Sequence, residues 1–166
     1  MDLIAINASH STGSTTHNLA ALAVELHGAG RVVDLASLDP AGLLGVGKSD
    51  DVQALLEAIP TAWGLVLVTP VYRATYSGLL KVVFDQLPQA ALRGVPCVLA
   101  ATAASPAHYL ALDTGFRSLV ASLEGWSVPT VAYATPADFD EAKQPGDAVR
   151  ERVAQGLAEV AQLRGA

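Results

Sequence analysis

Three loops of hydroxyls, small residues and aromatics are the parts of this chain that could do chemistry. The first is Ala8-Ser9-His10-Ser11-Thr12-Gly13-Ser14-Thr15-Thr16. Ser9, Ser11, Ser14, Thr15 and Thr16 set hydroxyls around one glycine, just ahead of an amphipathic run. That composition suits a phosphate, because the N–H groups and positive dipole end at a helix N-terminus attract an anion. The same residues also read as a Ser/Thr-rich turn in which Ser14 or Thr15 simply caps a helix. Their position directly after an apolar first strand favours the phosphate. Neither a Walker loop nor a G-x-G-x-x-G fingerprint is present.

The second loop is Pro70-Val71-Tyr72-Arg73-Ala74-Thr75-Tyr76-Ser77. Pro70 fixes the backbone where a strand ends, and Tyr72 and Tyr76 offer flat faces to a planar heterocycle. Arg73 is placed to meet a phosphate or to remain solvated, Tyr76 to line the site or a subunit interface, and Ser77 to cap the next helix. The third loop is Thr102-Ala103-Ala104-Ser105-Pro106-Ala107-His108. Its small residues let a ring approach the backbone. Ser105 and Pro106 read as cap and first helical position, and His108 as a site histidine or a structural one.

No nucleophile–base pair accompanies these loops, and no G-x-S-x-G elbow occurs. His10 and His17 flank the first loop without the spacing of a metal site. Loops of this kind fit a domain that holds a reactive cofactor and supplies orientation and electrostatics.

The elements that must position the loops alternate along the chain. Apolar runs at Leu3–Asn7, Arg31–Asp34, Gly64–Thr69, Val95–Ala101 and Ser127–Tyr133 read as strands. Helical periodicity marks Thr16–His27, Asp50–Ile59, Ser77–Leu87, a long helix over Pro106–Leu123, and Asp147–Arg164. Interleaved apolar strands and helices predict an α/β fold: a three-layer sandwich on a five-stranded parallel sheet, with helices on both faces. Right-handed crossovers then bring every β-to-α loop to one edge, where ligands bind. Leu35–Ser49 reads as a long surface loop or partner contact, and Pro136–Gly146 as a mobile surface loop.

A length of 166 residues suits a single domain, 1–166. The net charge of −6 and scattered basic residues argue against a nucleic-acid surface. No apolar run reaches the roughly 18–20 residues of a membrane span, and no signal-peptide pattern follows Met1. The lone Cys97 sits inside an apolar strand and reads as a small core residue. A cytoplasmic location is the expectation.

The order of these residues resembles the NADPH-dependent FMN reductase family of flavodoxin-like proteins, above all the branch serving two-component alkanesulfonate monooxygenases. Thr69-Pro70-Val71-Tyr72-Arg73-Ala74-Thr75-Tyr76-Ser77-Gly78-Leu79-Leu80-Lys81 is similar to that branch's A-T-P-V-Y-K-A-x-Y-S-G-x-L-K. Phe84-Asp85-Gln86-Leu87-Pro88 and Leu92-Arg93-Gly94-Val95-Pro96 continue the likeness. So does Ser105-Pro106-Ala107-His108-Tyr109-Leu110-Ala111-Leu112-Asp113. The resemblance implies FMN as cofactor and NADPH or NADH as hydride donor, the phosphate lying on the first loop. The ring would lie between Pro70–Arg73 and Thr102–Ser105. It also implies a homodimer or homotetramer and a flavin-dependent monooxygenase as recipient of reduced flavin. A same-fold quinone, azo or metal-oxyanion reductase and a non-catalytic module that has lost its flavin are the alternatives.

Three departures carry expectations of their own. Ala8-Ser9-His10-Ser11 replaces the family's G-S-P-R, removing a charge-assisted phosphate contact worth roughly 1.5–3 kcal/mol. Ala103-Ala104 replaces a glycine pair, so a positive φ there would strain the backbone and flavin binding would weaken. Thr114-Gly115 replaces a Tyr-Ala pair that marks a local helix expansion, which puts the expansion, though not the oligomer, in doubt.

Overall fold

A computed structural model describes residues 2–165; the expected domain limits Met1 and Ala166 lie outside them. Five parallel strands form one sheet in the order β2-β1-β3-β4-β5. They are β1 (Leu3–Asn7), β2 (Arg31–Asp34), β3 (Gly64–Pro70), β4 (Pro96–Thr102) and β5 (Trp126–Ala134). β3 and β4 are buried along their whole length, which is why they read as unbroken apolar runs rather than alternating ones.

Side-chain alternation along the strands sends successive residues to opposite faces. Leu3, Ala5, Val66, Val68, Val98 and Ala100 pack with α1 (Thr15–His27) and α6 (Asp147–Arg164). Ile4, Ile6, Leu65, Leu67, Cys97 and Leu99 meet Val52 and Leu55 of α3 (Asp50–Ala58) and Leu80, Val83 and Phe84 of α4 (Gly78–Asp85). Leu119 and Val120 of α5 (Arg117–Ser122) complete that layer. Each fully buried Leu or Val contributes about 1.5–3 kcal/mol. Close approach decides one glycine: a Cβ at Gly30, whose φ is +113°, would stand 2.3 Å from the Leu3 carbonyl oxygen.

Two expectations about the connections change. Leu35–Ser49 is not a plain loop. It holds a 3-10 turn at Leu35–Ser37 and the short helix α2 (Pro40–Leu43), with Asp39 capping the Gly42 N–H. Leu35 and Leu43 enter the core, while Leu44 and Val46 stay exposed.

The long helix expected over Pro106–Leu123 is broken into three pieces: a 3-10 turn at Pro106–His108, a π-turn at Leu112–Phe116, and α5. The Arg117 N–H reaches back to the Leu112 carbonyl, the five-residue step of a π-turn. The helix expansion is therefore present without the Tyr-Ala pair. Thr114 bonds its hydroxyl to the Leu110 carbonyl at 2.9 Å. Gly115 faces the second loop, where a Cβ would meet Thr75 Oγ1 at 3.0 Å. Close packing against that loop, rather than a particular tyrosine, accompanies the extra residue.

Candidate functional site

The carboxyl ends of β1, β3, β4 and β5 frame a cleft of about 480 Å³. Ser9, Ser14, Thr15 and Thr16 form one end of it; Pro70, Val71 and Tyr72 form one wall, and Thr102, Ala103 and Ala104 the other. Strand register explains the meeting. Asn7 pairs with Val68 and Pro70 with Thr102, so the loops after β1, β3 and β4 leave the sheet side by side.

Hydroxyls and first-turn N–H groups gather at one end of the cleft. Ser14 caps α1, accepting the His17 N–H at 3.1 Å. The N–H groups of Thr15 and Thr16 lie in the first helical turn, where no intrahelical acceptor exists. Ser9 is buried, and its hydroxyl accepts the Ser11 N–H at 3.2 Å. Its own N–H is held by the Asn7 side chain at 3.1 Å. Thr16 and Thr102 share a buried hydroxyl contact of 2.8 Å that ties this end of the cleft to the third loop.

The second loop is a tight two-residue hairpin. Tyr72 and Thr75 exchange both backbone hydrogen bonds, at 2.9 and 3.2 Å. Arg73 and Ala74 between them have φ of +51° and +63°. Primed turns of this kind favour Gly and Asn, so the tip is strained. The hairpin presents Tyr72, half exposed, against the His10 ring at 5.6 Å.

The third loop corrects an expectation. Neither Ala103 nor Ala104 has a positive φ; the left-handed residues are elsewhere. The Ala103 N–H donates to the Ala134 carbonyl at 3.0 Å, prolonging the β4–β5 ladder, so alanine sits there without strain. Tyr133 pins the loop by donating its hydroxyl to the Ser105 carbonyl at 2.5 Å. Burial pushes that phenol above its ordinary pKa and keeps it a neutral donor.

Six residues named from the sequence stand outside the cleft lining. Ser77 is fully buried and spent on the protein. Its hydroxyl donates to the Ala8 carbonyl at 2.7 Å and accepts the Leu80 N–H, while its own N–H reaches Thr69. Tyr76 packs its ring on Phe116 at 5.8 Å. Ser105 caps the Pro106 turn. Ser11 is exposed in the first loop, Arg73 at the hairpin tip and His108 in the 3-10 turn.

Four lining residues were missed: Ala134, Thr135, Pro136 and Phe139. Pro136–Gly146 is thus not a loop apart from the site. Thr135 and Asp138 form a capping box, and Phe139 packs against the core. The signal was available, because the loop after β5 must leave from the same sheet edge as the other three.

A strand order of 2-1-3-4-5 with a hydroxyl-rich loop after β1 and a cleft beside it at the carboxyl edge defines a flavodoxin-like α/β protein. The model of the NADPH-dependent FMN reductase family matches residues 1–140, and the chain belongs to that family. It is 39% identical over 127 residues to NADH-dependent FMN reductase SfnF of Pseudomonas putida, covering 76% of this chain and 68% of that one. It is 36% identical over 115 residues to FMN reductase (NADPH) of Pseudomonas aeruginosa. That match covers 69% of this chain, which spans 62% of the relative's length. The apo form of NADH:FMN oxidoreductase (EMOB) superposes with a TM-score of 0.85 at 34% identity, covering 98% of this chain and 87% of that one. No helix among the described residues is long and apolar enough to cross a membrane.

Proposed function

We propose that this chain is an NAD(P)H-dependent FMN reductase that binds FMN in the cleft between the loops after β1, β3, β4 and β5. One observation carries the reading: the first turn of α1, whose leading N–H groups have no intrahelical acceptor, lines the same cleft as Pro70, Val71 and Tyr72. FMN, when bound, supplies the chemistry by accepting hydride from a nicotinamide.

The chain's own residues bind and orient. Ser9, Ser14, Thr15 and Thr16 would hold the phosphate through hydroxyls and N–H groups. Pro70–Tyr72 and Thr102–Ala104 would border the ring. The absence of the family's arginine from the first loop leaves neutral donors to do this work, so FMN is expected to exchange readily rather than stay bound through purification. Residues 1–166 would act as one FMN-binding domain. The finer reading is a cytoplasmic homodimer or homotetramer that draws on NADPH or NADH and passes reduced flavin to a monooxygenase.

The test adds FMN to purified protein and follows loss of NADPH and NADH absorbance beside quenching of flavin fluorescence. Turnover with free FMN and no further acceptor is the expected result. Quenching without turnover would mark an electron carrier, and neither response a non-catalytic module; both would overturn the proposal.

A further inference from the structure

Asp34, at the carboxyl end of β2, lies outside the cleft, yet both ends of the phosphate loop are fastened to it. Its Oδ1 accepts the Asn7 side-chain amide at 2.7 Å and lies 2.7 Å from His17 Nδ1. Asn7 is the last residue of β1, pairs in register with Asp34, and is fully buried. Its remaining amide oxygen accepts the Ser9 N–H at 3.1 Å. His17 sits in the first turn of α1, and its backbone N–H occupies the Ser14 hydroxyl at 3.1 Å. The loop Ala8–Thr16 therefore leaves Asn7 and returns at His17 with both flanks held by a single carboxylate oxygen.

We infer that Asp34 is a positioning residue that pre-organises the phosphate loop, setting the aim of the Ser9, Thr15 and Thr16 donors without touching the ligand. The inference rests on the FMN reading above and deepens it. A loop bare of arginine must collect its affinity from neutral donors, and such donors add up only when fixed in advance. Hydrogen bonds to a charged acceptor are the strong kind, so one carboxylate can hold both flanks. The Asp34 side chain is 19% exposed and the His17 ring 31%, which shields the contact without desolvating it fully.

The experiment compares FMN with riboflavin, which carries the same ring and no phosphate, by fluorescence titration of wild type, Asp34→Ala, Asp34→Asn and His17→Ala. Wild type is expected to bind FMN more tightly than riboflavin. Asp34→Ala should weaken FMN about tenfold while riboflavin stays within about twofold. Asp34→Asn keeps the shape and loses the charge, so it reads the same change if the alanine variant does not fold. Equal weakening of both flavins would mean a general structural role and overturn the inference. Unchanged discrimination in the variants would overturn it alone. A wild type that does not distinguish FMN from riboflavin would overturn the phosphate reading and this inference with it.

Discussion

The hydroxyls of Thr16 and Thr102 meet at 2.8 Å although 86 residues separate them in the chain. Both are buried, and both line the cleft. One belongs to the first turn of α1 and the other to the last position of β4, so the contact fixes the start of α1 relative to the third loop.

Breaking that contact from one side leaves a buried hydroxyl without its partner. Thr16→Val and Thr102→Val should each cost about 1–3 kcal/mol in urea unfolding. The double variant should cost clearly less than the sum, because two apolar groups of the same shape replace the pair. Strict additivity would show that the hydroxyls do not interact.

The strained hairpin tip makes a prediction of opposite sign. A left-handed conformation costs an alanine roughly 1–2 kcal/mol, of which glycine's extra chain entropy gives back about 0.5–1. Ala74→Gly, at φ +63°, should therefore stabilise the protein by about 0.5–1 kcal/mol, read as a higher midpoint in calorimetry. A lowered midpoint would contradict the positive φ.

Arg117 guards the open edge of β5. Its guanidinium reaches Asp113 at 2.6 Å, Ser127 at 3.2 Å, and the carbonyls of Val128 and Pro129 at 2.8 Å each. Those carbonyls belong to the sheet's edge strand, in the stretch between Ser127 and Val131 where its register with β4 shifts and where a stray strand could add. Arg117→Ala should cost about 2 kcal/mol and raise light scattering on mild heating. Arg117→Lys should not restore stability, since one ammonium cannot span the four acceptors.

Burial pushes the Cys97 thiol up to about 12. Burial keeps the native thiol protonated and out of reach at pH 8, so a thiol reagent should react at the rate of unfolding. The unfolded thiol releases its proton near its ordinary value of 9.0, and the native one does not until about 12. The unfolded state thus binds fewer protons across that window, and stability should fall as pH rises through it. Cys97→Ala should flatten this alkaline slope. A native protein that labels rapidly at pH 8 would contradict the burial.

How far the chain could be read in advance differs by element. The unbroken apolar runs at Leu65–Val68 and Val98–Ala101 announced central parallel strands, because a strand covered on both faces has no reason to alternate. Pro70 and Ser77 announced the ends of the second loop, the one by its fixed φ and the other by its capping hydroxyl. The π-turn was not legible. Thr114 and Gly115 have no sequence signature for an extra helical residue, and the close packing of Gly115 on Thr75 is a contact across the fold.

Local chemistry determined the alternation of elements, the hydroxyl loop ahead of α1 and the three loops that had to share one sheet edge. Hydrophobic period, capping and proline act within a few residues, so they are written in the chain itself. Only the tertiary structure decided which of those loop residues face the cleft. Ser77 turned its hydroxyl to the Ala8 carbonyl, while Thr135 and Phe139 entered the site from the loop after β5. It also decided that one oxygen of Asp34 holds both ends of the loop after β1. Orientation at a sheet edge is set by register with neighbouring strands, and register is a property of pairs of segments that no single segment carries.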